Sequence, residues 1–297
     1  MISNKIKFFS DYEVSDKLLI RFLENYNVYD DDLQFVTEGH YDYAVVFNRA
    51  KEMINPDAKI ITVIQEPSWC ETHSHKYFLL YSDYLIVHDP LLFETVNHLK
   101  LGGQVIQSPA YMFFHDRVNH SFFSKTEYTK KSKKLSFIVS GQYFPWGNYQ
   151  KRIEVLSRIL ESDLNIDIYG YGLNILDKRY KGAIENKYTA LIPYEYSIAI
   201  ENSNEYNYIS EKFFDCVLCN TTPIYNGAPN ISEVYDESYF RNIDIFDPNI
   251  VDTIKKITAL PAPGVGINKS IYLVKYNLYT KLKEIVEMDI NSCRALR

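Results

Sequence analysis

Short, almost wholly apolar runs alternate with stretches of helical period through most of this 297-residue chain, and the alternation stops once and then restarts. A strand that is apolar on both faces needs both faces covered, a condition met by a parallel sheet flanked by helices on either side. In the first 115 residues the runs predict strands over 5–9, 33–37, 43–47, 59–64, 84–87 and 104–107. Helices are predicted over 15–26, with Ser15 as N-cap, and over 90–99.

The break spans 116–134, a polar stretch that carries Lys125, Lys130, Lys131, Lys133 and Lys134 with no periodic apolar residue. It reads as a solvated connection between domains, and its basic cluster also suits contact with an anionic membrane face. From Leu135 the alternation resumes, with strands over 135–139, 166–169, 196–200, 223–225 and 243–246 and helices over 149–160, 210–219 and 250–260. After the breaker run from Pro261 to Gly264, residues 270–288 form one long amphipathic pattern. The expectation is an α/β chain of two Rossmann-like domains, 1–133 and 134–265, with 266–297 a terminal helix packing back across the hinge.

Several function classes are excluded. A formal charge of −6 leaves no general affinity for a nucleic-acid backbone, so a nucleotide has to be held by a few local cations. The sequence has no Walker loop, no Gly-x-Gly-x-x-Gly fingerprint and no Gly-x-Ser-x-Gly elbow. Four cysteines give no disulfide framework. Cys216 and Cys219 sit inside a predicted helix and read as buried thiols, while Cys70, His73 and His75, without an acidic partner at ligand spacing, read as a polar loop. His88, Asp89 and Pro90 read as a turn. Residues 1–17 are polar and mixed in charge, unlike a signal peptide, and no window approaches the ~18 apolar residues of a membrane span. The expected location is the cytoplasm, with peripheral contact at the inner membrane face through the basic stretch.

The chemistry concentrates between Tyr194 and Pro229. Glu201 and Asn202 end a predicted strand, an aromatic loop follows, Ser210, Glu211 and Lys212 open a predicted helix, and a second strand runs to Gly227. The first N–H groups of a helix lack intrahelical partners and the positive end of its dipole faces outward, so a phosphate fits there. Lys212 adds a cation.

Three blocks in this run, Glu201-Asn202-Ser203, Tyr208-Ile209-Ser210-Glu211-Lys212 and Pro223-Ile224-Tyr225-Asn226-Gly227, together resemble the donor-binding motif of the α-1,3/4-fucosyltransferases, glycosyltransferase family 10. There a Glu-Asn, a Tyr-x-(Ser/Thr)-Glu-Lys and a Pro-(Val/Ile)-x-x-Gly follow one another at nearly the same gaps. Ser210 replaces the commoner Thr, and Asn226 stands where an aromatic is frequent. The resemblance implies two Rossmann-like domains facing a cleft, the GT-B architecture, with the acceptor on the first and the nucleotide sugar on the second. It also implies inverting transfer of L-fucose from GDP-β-L-fucose to a hydroxyl of an N-acetylglucosamine- or glucose-containing glycan. GDP-fucose enters as donor substrate, with no cofactor required. No metal is expected, since no Asp-x-Asp lies at the diphosphate site; Asp30-Asp31-Asp32 has that spacing but falls between elements of the other domain.

Site residues follow from the same resemblance. Glu66, in Val63-Ile64-Gln65-Glu66-Pro67-Ser68-Trp69 at the end of a predicted strand, resembles the family's acidic acceptor-domain motif and is the expected general base, with Trp69 stacking on an acceptor sugar. Its plainer role is to cap the next helix. Lys212 and Arg152 would neutralise the departing diphosphate, Lys151 competing with Arg152, and Glu211 would hold negative charge near the sugar ring. A solvent-facing cation is the plainer reading of either basic residue, and a dipole-favoured helix start that of Glu211. Asn202, Tyr208 and Ser210 supply groups for ribose and phosphate oxygens, and Gly170 lets the backbone approach the nucleotide. Two other readings stand beside this one: a transferase of the same fold using another GDP-sugar, and a catalytically inactive glycan- or nucleotide-binding module.

Overall fold

Strands that are apolar throughout pair in parallel in two separate sheets, each belonging to one of two compact units: residues 1–120 with 270–297, and residues 121–269. The computed structural model describes residues 4–26, 28, 31–70, 81–89, 91, 103–109, 130–263, 269, 273 and 275–295. The helix expected over 90–99, most of the stretch 116–134 including Lys125, and Asp30, His73, His75, Pro90 and Gly264 lie outside the described residues.

In the first unit β1 (Lys5–Ser10), β2 (Gln34–Phe35), β3 (Tyr43–Phe47), β4 (Lys59–Val63), β5 (Tyr84–Val87) and β6 (Gln104–Gln107) form a parallel sheet in the order β2-β1-β3-β4-β5-β6. Every residue of β3 and β5 is buried, as a sheet covered on both faces requires. The strand expected over 33–37 pairs over only two residues, because it lies at the edge beside β1. Helix α1 (Ser15–Asn25) buries Leu18 and Phe22. Its N-cap is Val14 rather than Ser15. The Ser10 hydroxyl accepts from the backbone N–H of Tyr12 and of Glu13, so the entry turn is set upstream and Ser15 is already helical.

The terminal helix runs over Leu278–Ala295, not 270–288. Asn277 explains the start: its side-chain oxygen accepts from the N–H of Tyr279 at 2.8 Å. Leu278, Tyr279, Leu282, Ile285 and Val286 share one face of the helix and join Ile6, Phe8, Phe22 and Val45 in the core of the first unit. One turn further on, buried Asp289 accepts from the Tyr43 and Tyr84 hydroxyls at 2.9 and 3.2 Å and pairs with Lys59, which ties the helix to three strands of the sheet. Asp32, of the acidic triplet, pairs with Lys283 on the same helix.

The second unit places β7 (Lys133–Ile138), β8 (Asp167–Tyr169), β9 (Tyr194–Ile200), β10 (Thr222–Asn226) and β11 (Arg241–Asn242) in the parallel order β11-β10-β9-β7-β8. Around them lie α2 (Tyr149–Leu160), α3 (Glu211–Leu218), α4 (Ile231–Val234) and α5 (Ile250–Ala259). The strand expected over 243–246 is instead Arg241–Asn242. An Asx turn, in which Asp244 accepts from the N–H of Phe246 at 2.9 Å, ends the extended chain, while Ile243 and Ile245 enter the core.

Part of the basic stretch belongs to this unit and is not a solvated connection. Lys133 and Lys134 start β7 and pair with Asp167 and Glu195 at 2.9 and 2.7 Å. Lys131 donates to the carbonyls of Ile192 and Cys219 at 2.7 and 2.8 Å, closing the C-terminal end of α3, and burial lowers its pKa to about 8. No helix among the described residues is long and apolar enough to cross a membrane.

Candidate donor and acceptor sites

Strand order reverses once in each sheet, and in open α/β sheets ligands bind outside the C-terminal ends of the strands at such a point. In the second unit the reversal lies between β7 and β9. Arg152 stands in the helix after β7, and Glu201 and Asn202 directly follow β9, ahead of Tyr208, Ser210, Glu211 and Lys212 at the start of α3.

Glu201 is fully buried and its carboxylate turns toward α3. It accepts from the Ser210 N–H at 2.8 Å and from the Ser210 hydroxyl at 2.5 Å, and Lys212 Nζ stands 3.7 Å away. Ser210 is the N-cap, its hydroxyl accepting from the N–H of Lys212. Burial raises the pKa of Glu201, with Lys212 opposing. The glycine that ends the motif has a packing reason: a Cβ on Gly227 would lie 2.2 Å from the Tyr225 hydroxyl and 2.5 Å from Glu201 Cγ. Asn226 uses its amide to donate to the Ile243 carbonyl at 3.1 Å, tying β10 to the chain beyond β11.

Arg152, in the first turn of α2, is only 6% exposed and so is not a solvent-facing helix cation. It donates to Asn202 Oδ1 at 2.8 Å and stacks 4.4 Å over the Tyr149 ring, and its Nε is buried without a partner. Burial lowers its pKa, opposed by Tyr149, Glu201 and Glu211. Lys151 turns elsewhere, pairing with Glu154 at 2.6 Å. Asn148 closes the join between the two loops, donating through its amide to the Glu201 carbonyl at 3.0 Å and through its backbone to the Asn202 carbonyl at 2.8 Å.

Glu211 shares its charge with two lysines: its Oε1 lies 3.3 Å from Lys212 Nζ and 3.1 Å from Lys187 Nζ. Burial works against ionised Glu211, but the lysines outweigh it and hold its pKa well below the usual carboxylate range. Lys187 also reaches Asp215, one turn deeper on α3, at 3.2 Å. Burial raises the Asp215 pKa to about 6 against the pull of Lys187. Tyr208 is wholly buried. Cys216 on the same helix and Cys219 at its C-cap are buried free thiols, and burial pushes the Cys216 pKa up.

Gly170 follows β8 with φ +145°. The room left by its missing side chain is taken by protein backbone, since a Cβ there would lie 1.7 Å from the Val139 carbonyl oxygen. Gly170→Ala is expected to destabilise the second unit by about 2–4 kcal/mol through this clash and the left-handed backbone, read by chemical denaturation; an unchanged midpoint would contradict it.

In the first unit the reversal lies between β1 and β3. Gln65 ties the neighbouring strand exits together: its side-chain oxygen accepts from the Tyr12 hydroxyl at 3.0 Å and its N–H donates to Asn48 Oδ1 at 2.8 Å. Asn48 adopts φ +56°, a conformation asparagine tolerates better than most residues. Glu66, half-buried, comes next, and Trp69 lies in the turn closed by the Cys70 N–H on the Pro67 carbonyl at 3.0 Å. His88 is fully buried after β5. Among the described residues no group of three or more His, Cys, Asp or Glu could hold a metal ion.

Sequence reading overlooked Lys187, Asp215, Asn148 and an aromatic loop. Asp215 carried a signal, four residues after Glu211 on one helix face. Lys187 carried none. Between β7 and α2, Phe144 and Trp146 are exposed and stacked at 6.1 Å, and Phe144 meets Tyr149 edge-on at 5.0 Å, so a continuous ring surface leads to Arg152.

Residues 128–260 match the family described as glycosyltransferase family 10 (fucosyltransferase) C-term. A putative fucosyltransferase-like protein of Arabidopsis thaliana is 30% identical over 146 residues, 48% of this chain and 27% of that protein. The alpha-(1,3)-fucosyltransferase FucT of Helicobacter pylori is 32% identical over 63 residues, 21% of this chain and 13% of that protein. The matched parts thus cover well under half of either relative. Among solved structures, an alpha1,3-fucosyltransferase aligns with TM-score 0.51 and 16% identity over 87% of this chain and 78% of that one. Anabaena Alr3699/HepE, solved with UDP and glucose, aligns with TM-score 0.54 and 10% identity over 97% and 99% of the two chains. At these identities the structures speak for the fold alone, which is that of the GT-B glycosyltransferases. Taken with the motif blocks held together at the start of α3, the match makes residues 128–260, within the second unit, similar to the C-terminal part of glycosyltransferase family 10, the fucosyltransferase family.

Proposed function

We propose that the second unit binds GDP-β-L-fucose and that the chain transfers L-fucose, with inversion, to a hydroxyl of an N-acetylglucosamine- or glucose-containing glycan. One observation carries the donor reading: a buried Arg152 with an unpartnered Nε–H stands at the strand-order reversal, bonded to Asn202 on the loop that leads to the capped, lysine-bearing start of α3. A diphosphate placed there meets a fixed guanidinium, an ammonium and free helix N–H groups. The stacked Phe144 and Trp146 rings offer a flat apolar face for a base or sugar.

In the proposed single displacement the acceptor oxygen attacks the anomeric carbon as the bond to the β-phosphate oxygen breaks. Glu66 takes the hydroxyl proton, while Arg152 and Lys212 neutralise the charge gathering on GDP. These cations carry the charge without a resident metal, in keeping with the lack of an Asp-x-Asp in the donor segment.

Mass spectrometry of products from a panel of nucleotide sugars and glycans tests the reaction, and fucosyl transfer from GDP-fucose is the expected result. GDP release from a different GDP-sugar only would replace fucose in the proposal, and GDP binding without turnover would leave a binding module. Lys212→Ala is expected to weaken GDP binding roughly 10- to 100-fold by calorimetry, the weight of one charge-assisted phosphate contact. An unchanged Kd would remove Lys212 from the donor site.

A further inference from the structure

Lys187 belongs to none of the motif blocks, yet its ammonium lies against the helix start at the centre of the donor site. It is held on a 3-10 turn, Lys187–Ala190, which Asn186 caps by accepting from the N–H of Tyr188 at 2.9 Å. From there Nζ bridges Glu211 at 3.1 Å and Asp215 at 3.2 Å. The same turn sends the Tyr188 hydroxyl to the other oxygen of Asp215 at 3.4 Å.

The charges around α3 make this contact consequential. Three carboxylates, Glu201, Glu211 and Asp215, crowd the first turns of a helix proposed to receive a diphosphate. Against them stand Lys212, Arg152 and Lys187. With all six ionised the cluster is neutral. Without Lys187 it carries one net negative charge, and Lys212, already within 3.3 Å of Glu211, would be the only lysine left to serve that acid and the phosphate together.

We propose that Lys187 is a positioning residue for the donor: by pairing with Glu211 and Asp215 it cancels carboxylate charge that would repel the diphosphate and frees Lys212 to contact it. This rests on the donor-site reading above and adds to it a residue that acts through its neighbours without touching the ligand.

The acid that must respond is Asp215. It faces Glu211, Lys212 and the Cys216 thiol from its own helix, the Cys219 thiol from that helix's C-cap, and Lys187 and Tyr188 from the 3-10 turn. Its pKa is raised to about 6 by burial even with Lys187 present. Removing the lysine raises it further. Below the new pKa, Asp215 takes a proton and the cluster returns to neutrality; above it the net negative charge reappears. The lysine itself stays charged throughout the neutral range, since Glu211 and Asp215 outweigh its burial and raise its pKa. Wild-type donor binding should therefore vary little between pH 7 and 9, and the defect of Lys187→Met should grow with pH.

The test is calorimetric titration of GDP into the whole chain at pH 7, 8 and 9, as wild type, K187M, K187R and the double variant K187M/D215N. The expected result is a K187M to wild-type Kd ratio that rises with pH to roughly 10- to 100-fold at pH 9, the effect of one unit charge over roughly 6–10 Å at an effective dielectric near 20. K187R should keep wild-type affinity, and K187M/D215N should regain it at every pH, because the second substitution removes the charge the first uncovered. A ratio that stays constant with pH, or a double variant as weak as K187M, overturns the proposal. Wild type failing to bind GDP overturns the donor reading itself, and this proposal with it.

Discussion

Glu66→Gln should lower fucosyl transfer by about 10²–10⁴-fold, the usual weight of a general base, while GDP affinity stays at its wild-type level. The amide keeps the size and shape of the side chain and loses only its basicity. Glu66 follows β4 in the first unit, whereas Arg152, Asn202, Ser210 and Lys212 all belong to the second, so the substitution leaves every donor contact in place. Gln65, bonded to Tyr12 and Asn48, keeps the strand exits fixed around it in either variant. Single-turnover rates with GDP-fucose and a responsive acceptor, set beside calorimetry with GDP, separate the two quantities. Unchanged turnover would exclude Glu66 as the base, and a parallel loss of GDP affinity would mean that the residue holds structure.

Glu201→Ala should destabilise the second unit by about 3–5 kcal/mol, because it strips a buried N-cap serine of both its acceptors and removes the fully buried one of the two carboxylates that face Lys212. In a unit of this size that corresponds to a fall in melting temperature of roughly 6–20 °C by differential scanning calorimetry. Glu201→Gln should cost less, since an amide oxygen still accepts from Ser210 while the charge opposite Lys212 is lost. Donor binding should fail in the alanine variant even where the unit remains folded, because the start of α3 is no longer held. A melting temperature within a degree or two of wild type would show that Ser210 finds other partners. The outcome also bears on Gly227, whose missing side chain makes room for Glu201 against Tyr225.

Most strands were legible because their signal is local. A run such as Tyr43–Phe47 is apolar at every position, and only a strand covered on both faces accommodates that. The differences gather where a polar side chain intervenes. Ser10 sets the entry to α1, Asn277 delays the terminal helix, and an Asx turn at Asp244 ends a strand that apolarity alone would prolong. Each is a side-chain to backbone bond worth little beside a core contact, yet enough to choose between neighbouring boundaries.

The donor segment was readable for the same reason of locality. From Glu201 to Gly227 the strand end, N-cap, first helical turn and close-approach glycine lie within one stretch of chain, and short-range chemistry dictates their residue types and spacing. Arg152 was nameable only by resemblance. What holds it is Asn202, 50 residues away, and that bond exists because the parallel sheet places the exits of β7 and β9 side by side. Lys187, 24 residues before its partner Glu211, and Asp289, 246 residues from Tyr43, are further instances of the same kind. By itself the chain's sequence determined which segments become strands and helices and where the capped, lysine-bearing helix start lies, since burial pattern and capping act between near neighbours. Only the tertiary structure decided which distant charges meet, because a surface lysine and a buried counter-ion look alike until the sheet brings their partners to them.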